Sequence, residues 1–219
     1  MKFINLHTHQ PNIQSTTLEL VNQYPLEFNP SIQNYSIGIH PWYIKQDTLE
    51  KELKIIEDNL LHINCLAIGE CGLDKRIEVP FELQTMVFEQ QLLLAEKFRK
   101  PVIIHCVAAF DELIEITNRL RITVPIIIHG FSKNIQLANQ LLKQGFYISF
   151  GKYLFQMPNL TSVLKQMPNN RFFLETDTAT QSIEEVYHLA ANCKDLSINA
   201  LQEIITTNFE SVFKTKIEN

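Results

Sequence analysis

Pro101-Val102-Ile103-Ile104-His105-Cys106 is an apolar, β-branched run that ends on a histidine, and Pro125-Ile126-Ile127-Ile128-His129-Gly130 repeats the pattern. A strand whose successive side chains are all apolar must be covered on both faces. That is the condition of a parallel sheet flanked by helices, not of a sheet with one face in water. Phe146-Tyr147-Ile148-Ser149-Phe150-Gly151 and Arg171-Phe172-Phe173-Leu174-Glu175-Thr176 have the same character. Working outward, strands are expected over 3–9, 17–23, 35–40, 65–70, 101–105, 125–129, 146–150 and 171–175, with 17–23 the least distinct.

Helical periods fill the gaps between the later strands. Leu49, Leu53, Ile56 and Leu60 form one apolar stripe, and Phe88, Leu92 and Ala95 form another in a long helix opened by Pro80. Phe110, Leu113, Ile114 and Thr117 make a third face, and Ile135, Ala138 and Leu142 a fourth, with Gly145 placed as its C-cap. Ser182 and Glu185 have the spacing of a capping box, and Ser197 begins a last amphipathic helix through Leu201, Ile204, Ile205 and Phe209. Strand and helix alternate from residue 35 onward, which implies βαβ units with right-handed crossovers. Only about seven residues separate the first two strands and about eleven the next pair, too few for ordinary crossover helices. The expected fold is an α/β, TIM-type (β/α)8 barrel with shortened crossovers among the first strands, in a single domain over residues 1–219.

Composition excludes several classes. The 219 residues are 45% hydrophobic, enough for one large core, and no apolar run approaches the length of a membrane span. The opening Met1-Lys2-Phe3-Ile4-Asn5-Leu6-His7-Thr8-His9 reads as a strand entering a polar motif, not as a secretory leader, so a cytoplasmic location is expected. Cys65, Cys71, Cys106 and Cys193 lack CxxC spacing and are expected to be free thiols. A net charge of −5 argues against a protein that coats nucleic acid by bulk electrostatics.

The chemistry lies at the ends of these apolar runs. His7 and His9 stand two apart on a strand, so both face one side and can share a metal. Glu70 follows an apolar run and is flanked by Gly69 and Gly72, which permit close backbone approach and a sharp exit from the strand. His105 and His129 close equivalent runs, and Glu175 and Asp177 share a face at the end of the last strand. Each residue has a bland alternative, such as a core-satisfied histidine or a solvated loop acid. Scattered imidazoles and carboxylates at matching strand ends are the set a parallel barrel gathers into one site. Mixed imidazole and carboxylate donors suit zinc, manganese, nickel or iron, and two ions bridged by a carboxylate suit hydrolysis.

These residues also carry a family resemblance. His7-Thr8-His9, Gly38-Ile39-His40-Pro41, Ile68-Gly69-Glu70-Cys71-Gly72-Leu73-Asp74, Pro101 to Cys106, His129-Gly130-Phe131-Ser132 and Glu175-Thr176-Asp177 occur in one order over nearly the whole chain. In this the sequence resembles the TatD family of metal-dependent deoxyribonucleases, within the amidohydrolase-like barrels. The resemblance implies that His7, His9, Glu70 and Asp177 hold one divalent ion and Glu70, His105 and His129 a second, with Glu70 as the bridge. Magnesium joins the candidate metals on this ground. Catalytic roles would fall to Asp177 as base or water-orienting group, to Glu70, and to His40, which would also contact the phosphate together with Asp74 and Lys152. The implied partner is DNA or another phosphodiester, with no membrane association, and the protein is expected to be a monomer.

Three positions depart from the family pattern. Asn5 stands where an acidic residue is usual, Cys106-Val107-Ala108-Ala109 follow His105 without the expected basic residue, and Thr178 to Gln181 replace a long substrate loop. Lys45, Lys75 with Arg76, Lys133 and Lys152 would make the rim more basic than the whole, and Trp42, Tyr43 and Tyr153 could stack on bases. Two other readings use the same residues: a small-molecule hydrolase of amides, lactones or phosphate esters, and a non-enzymatic scaffold.

Overall fold

The computed structural model describes residues 2–11 and 16–217. Its eight strands are β1 (Phe3–Thr8), β2 (Thr17–Gln23), β3 (Tyr35–Ile37), β4 (Cys65–Asp74), β5 (Val102–Val107), β6 (Ile126–Ile128), β7 (Tyr147–Phe150) and β8 (Phe172–Leu174). They form one sheet in the order β1 to β8, the strand order of a (β/α)8 fold. A parallel bridge between Thr8 and Asp177 joins β1 to the segment leaving β8. The helices are α1 (Leu49–Asn59), α2 (Phe81–Phe98), α3 (Phe110–Arg119), α4 (Ile135–Lys143), α5 (Tyr153–Gln156), α6 (Pro158–Gln166), α7 (Ile183–Lys194) and α8 (Ile198–Phe213).

The chain divides into two compact units, residues 1–21 with 128–219 and residues 22–127. In the first, β1 pairs in parallel with β2 and β7 with β8. Phe150, Phe172, Phe173, Tyr187 and Phe209 are fully buried there. The Tyr187 hydroxyl of α7 accepts from the Ile4 amide and donates to the Ile4 carbonyl, both at 3.1 Å, which ties α7 to β1 three positions before His7. The expected capping box at Ser182 and Glu185 is present, and Ser197 caps α8 through the Ala200 amide. Gly145 lies just past the α4 C-cap Gln144 at φ +83°. The segment between β7 and β8, for which no helix is expected from sequence, holds α5 and α6, the latter opened by Pro158.

In the second unit, β3 pairs with β4 and β4 with β5, all in parallel. No crossover helix follows β2. A 3-10 turn at Pro25–Glu27 fills that position, as the short spacing requires, and another at Pro41–Tyr43 follows β3 before α1. One expectation is corrected here. Glu70 does not end its strand: β4 runs on to Asp74, with a register shift between Ile68 and Cys71 that lets it continue along β5 as far as the Asp74–Val107 pair. The glycines therefore serve close approach and not exit. At Gly72, φ is +143° and a Cβ would come within 1.9 Å of the His105 carbonyl oxygen, so only glycine permits this pairing.

Candidate metal centre

In the first unit, β1 carries His7, which is fully buried, and His9 lies just beyond it. Asp177 is held against them by backbone bonds: its amide donates to the His7 carbonyl at 2.9 Å and its carbonyl accepts from the His9 amide at 3.2 Å. Asp177 adopts φ +55°, a left-handed conformation that a short polar side chain tolerates better than most. Its Oδ1 lies 3.5 Å from His9 Nε2 and 3.9 Å from His7 Nε2, while Oδ2 accepts from Lys152 Nζ at 2.7 Å. Burial pushes the Asp177 carboxyl up, but His129, His7 and Lys152 outweigh it and hold the group below the usual carboxylate range. Asn5 grips the neighbouring residue at two points, donating to Thr176 Oγ1 at 2.8 Å and accepting the Thr176 amide at 3.0 Å. The Asn5 amide also donates to Glu19 Oε1 at 3.5 Å, a contact that an aspartate could not make.

His129 follows β6, with its ring centroid 4.5 Å from that of His7. Its Nδ1 faces Glu175 Oε1 at 3.4 Å, and the same carboxylate oxygen accepts the Gly130 amide at 2.7 Å.

In the second unit, Glu70 Oε1 lies 3.1 Å from both His40 Nε2 and His105 Nδ1. The Glu70 amide donates to Asn22 Oδ1, which fixes the backbone at the register shift. His105 Nε2 faces Asp74 Oδ2 at 3.4 Å, so Asp74 favours a proton on Nε2 and leaves the Nδ1 lone pair directed at Glu70. Asp74 is itself well held: Trp42 Nε1 donates to Oδ2 and the Arg76 amide to Oδ1, both at 2.8 Å. Burial raises the Asp74 carboxyl, but the Trp42, Arg76 and His105 contacts win and keep it below its usual value. His40 is oriented the other way. Its Nδ1 accepts the Trp42 amide at 3.1 Å, which places the proton of the neutral ring on Nε2, toward Glu70.

Two trios of donor atoms result, each within 4.8 Å of one another: His7, His129 and Asp177 in the first unit, and His40, Glu70 and His105 in the second. Buried imidazoles with a carboxylate fit divalent ions. All six expected ligands lie in or beside these trios, with His9 against Asp177. Sequence reasoning missed Asn22, Gln84 and Gln91, which hold them, and placed Glu175 on the site's face without its grip on the Gly130 amide. The Gln91 side chain pairs with both the amide and the carbonyl of Ile39, at 2.7 and 3.2 Å, and Gln84 does the same for Asp74, at 2.8 and 3.0 Å. The signal was available: two glutamines seven apart on the apolar face of α2 are buried polar groups that need partners.

A family model described as TatD related DNase matches residues 1–214. The chain belongs to the TatD-related family. Among similar sequences is the uncharacterized metal-dependent hydrolase YabD of Bacillus subtilis, 27% identical over 214 residues, covering 90% of this chain and 81% of that one. The solved TatD homolog YjjV of Escherichia coli superposes with a TM-score of 0.83 at 20% identity, covering 97% and 98% of the two chains. A TatD family hydrolase from Entamoeba histolytica gives 0.79 at 18%, covering 98% and 99%. Family membership and the two donor trios make this TatD-related chain a metal-dependent hydrolase. Among the described residues no helix is long and apolar enough to cross a membrane. The expected basic rim is partly spent on internal pairs, since Lys75 binds Glu112 and Lys152 binds Asp177.

Proposed function

We propose that this chain is a single-domain hydrolase that cleaves phosphodiester bonds of DNA using two divalent ions. The observation that carries the reading is the fixed orientation of two imidazoles: Asp74 turns His105 into a lone-pair donor, while the Trp42 amide turns His40 into a proton donor. The assignment of ligands follows the family resemblance, with His7, His9, Glu70 and Asp177 for one ion, Glu70, His105 and His129 for the other, and Glu70 shared. Bound ions would supply Lewis acidity, drawing charge from a phosphate oxygen and acidifying water.

The chain's own residues do the rest. Asp177 is kept ionised by its cationic and imidazole neighbours, so it can orient the attacking water and take its proton. Lys152 steadies that carboxylate and lies close enough to share a phosphate charge. His40, with its proton on Nε2, donates toward a phosphate oxygen or the leaving oxygen. Asp74 orients His105 and Trp42, beside the contact with the phosphate that the family resemblance implies for it.

The reading is tested by assaying the purified protein, stripped and then reloaded with manganese or zinc, on single-stranded DNA and on bis(p-nitrophenyl) phosphate. Cleavage of both that appears only on reloading is expected. No metal-dependent cleavage of either would overturn it.

A further inference from the structure

We infer that a cavity in the second unit, beside His40, is a subsite for one heteroaromatic base of the substrate. The cavity measures about 360 Å3, within the range of small-ligand pockets, and its walls include Tyr24, Leu26, Ile39, His40, Tyr43 and Lys45. The inference rests on the phosphodiesterase reading and deepens it by naming the chemistry next to the reacting phosphate.

Three observations converge on it. The first is position. His40 is a wall of the cavity and also faces Glu70 at 3.1 Å, so a group seated here is one side chain away from a donor trio. The second is the character of the walls. Tyr24 and Tyr43 meet edge to face, with centroids 5.3 Å apart and planes at 89°, and the Tyr43 ring lies 5.5 Å from the His40 ring. Perpendicular tyrosines offer a planar ligand one face to stack on and one edge to abut. The third is exposure. Tyr43 is 52% and Leu26 46% accessible, while Gly38, Ile39 and His40 of the same wall are buried. Apolar surface left in water at a cavity mouth next to ionisable residues is surface that a ligand would cover. Lys45 is also at the wall, but Glu27 and Glu52 offset its charge, so the ring contacts and not the cation would hold the ligand.

The shortened crossover between β2 and β3 supplies one side of the cavity, since Tyr24 is the N-cap and Leu26 a member of the 3-10 turn Pro25–Glu27. The other side comes from the turn Pro41–Tyr43, which Tyr43 ends and which precedes α1.

The test is isothermal titration of the metal-loaded protein with 2′-deoxyadenosine 5′-monophosphate and with 2-deoxyribose 5-phosphate, which lacks the base. The nucleotide is expected to bind at least about tenfold more tightly, as stacking of one base contributes. Tyr24→Ala and Tyr43→Ala should each bring that ratio towards one while leaving the affinity for the sugar phosphate unchanged, and Tyr43→Phe should retain the ratio. Leu26→Arg, at an exposed position, gives the same readout by blocking the opening if an alanine variant fails to fold. Equal affinities in the unsubstituted protein, or a ratio untouched by these variants, would overturn the inference. Base-selective binding without metal-dependent cleavage would keep the subsite and remove the nuclease reading. Cleavage without base selectivity would do the reverse.

Discussion

Asp74 Oδ2 faces His105 Nε2 at 3.4 Å while accepting the Trp42 indole proton at 2.8 Å. A single carboxylate oxygen thus sets the tautomer of a ligand histidine and anchors the aromatic residue above it. Asp74→Asn removes the charge and allows the amide to turn its NH2 toward either partner. Metal affinity should fall by about 10- to 100-fold with the fold intact, measured by titration of the stripped protein with zinc. Unchanged affinity would mean that His105 needs no orienting partner.

Gly72 and Gly145 form a natural comparison, because both have positive φ but differ in surroundings. A Cβ at Gly72 would sit 1.9 Å from the His105 carbonyl, whereas one at Gly145 meets nothing within 4 Å. Gly145→Ala should cost about 1–2 kcal/mol through backbone strain alone. Gly72→Ala should cost about 3 kcal/mol or more and displace His105, so urea melts and zinc binding would both suffer. Equal costs in the two variants would show that the β4–β5 contact is less tight than described.

Gln91 pairs with both backbone groups of Ile39, the residue before His40, and both residues are buried. Gln91→Met fills similar space but leaves an amide and a carbonyl without these partners, at a cost of about 2–4 kcal/mol. The variant should also lower kcat and raise KM together, since Ile39 and His40 are walls of the proposed base subsite as well as neighbours of Glu70. A stability loss with unchanged kcat would separate Ile39 from the placement of His40.

Glu96 of α2 accepts from the Thr123 amide at 2.8 Å and from the Val124 amide at 3.3 Å, and it also takes the Thr123 hydroxyl, clamping the approach to β6. Burial raises its carboxyl, but these hydrogen bonds prevail and lower it from the ordinary 4.5. A folded-state value below the unfolded one gives stability that is full above the unfolded value and is lost as pH falls through the folded one. Glu96→Gln should therefore destabilise by about 1 kcal/mol at neutral pH, a modest figure because the group is partly exposed, and the difference should vanish in acid. Urea melts at pH 7 and pH 3 measure both values. A gap that persists at pH 3 would assign it to packing.

The apolar runs made the strands legible because a parallel strand buried on both faces leaves so little room for polar residues. Even Thr17–Gln23, the least distinct, is a strand. The continuation of β4 to Asp74 was not legible, because it depends on the register shift against β5, a relation between strands that neither strand shows alone. Helix α5 escaped because it is a single turn, whereas α6 carries the stripe Leu160, Val163 and Leu164 behind Pro158 and was legible. At the site, residues that could hold ions stood out by chemistry and place. Asn22, Glu175 and the two glutamines act through the third dimension, each gripping a residue far away in sequence. Only the buried spacing of Gln84 and Gln91 gave notice of that role.

The two 3-10 turns carry a consequence of their own. They supply the cavity's aromatic walls yet contribute none of the proposed ligands, and His40, the N-cap of the second, is a proposed proton donor. Preference among substrates can thus drift by exchanging a few loop side chains while the ion-holding strand ends stay untouched. An engineer wishing to redirect this enzyme would begin at Tyr24, Leu26 and Tyr43 and leave the histidines alone.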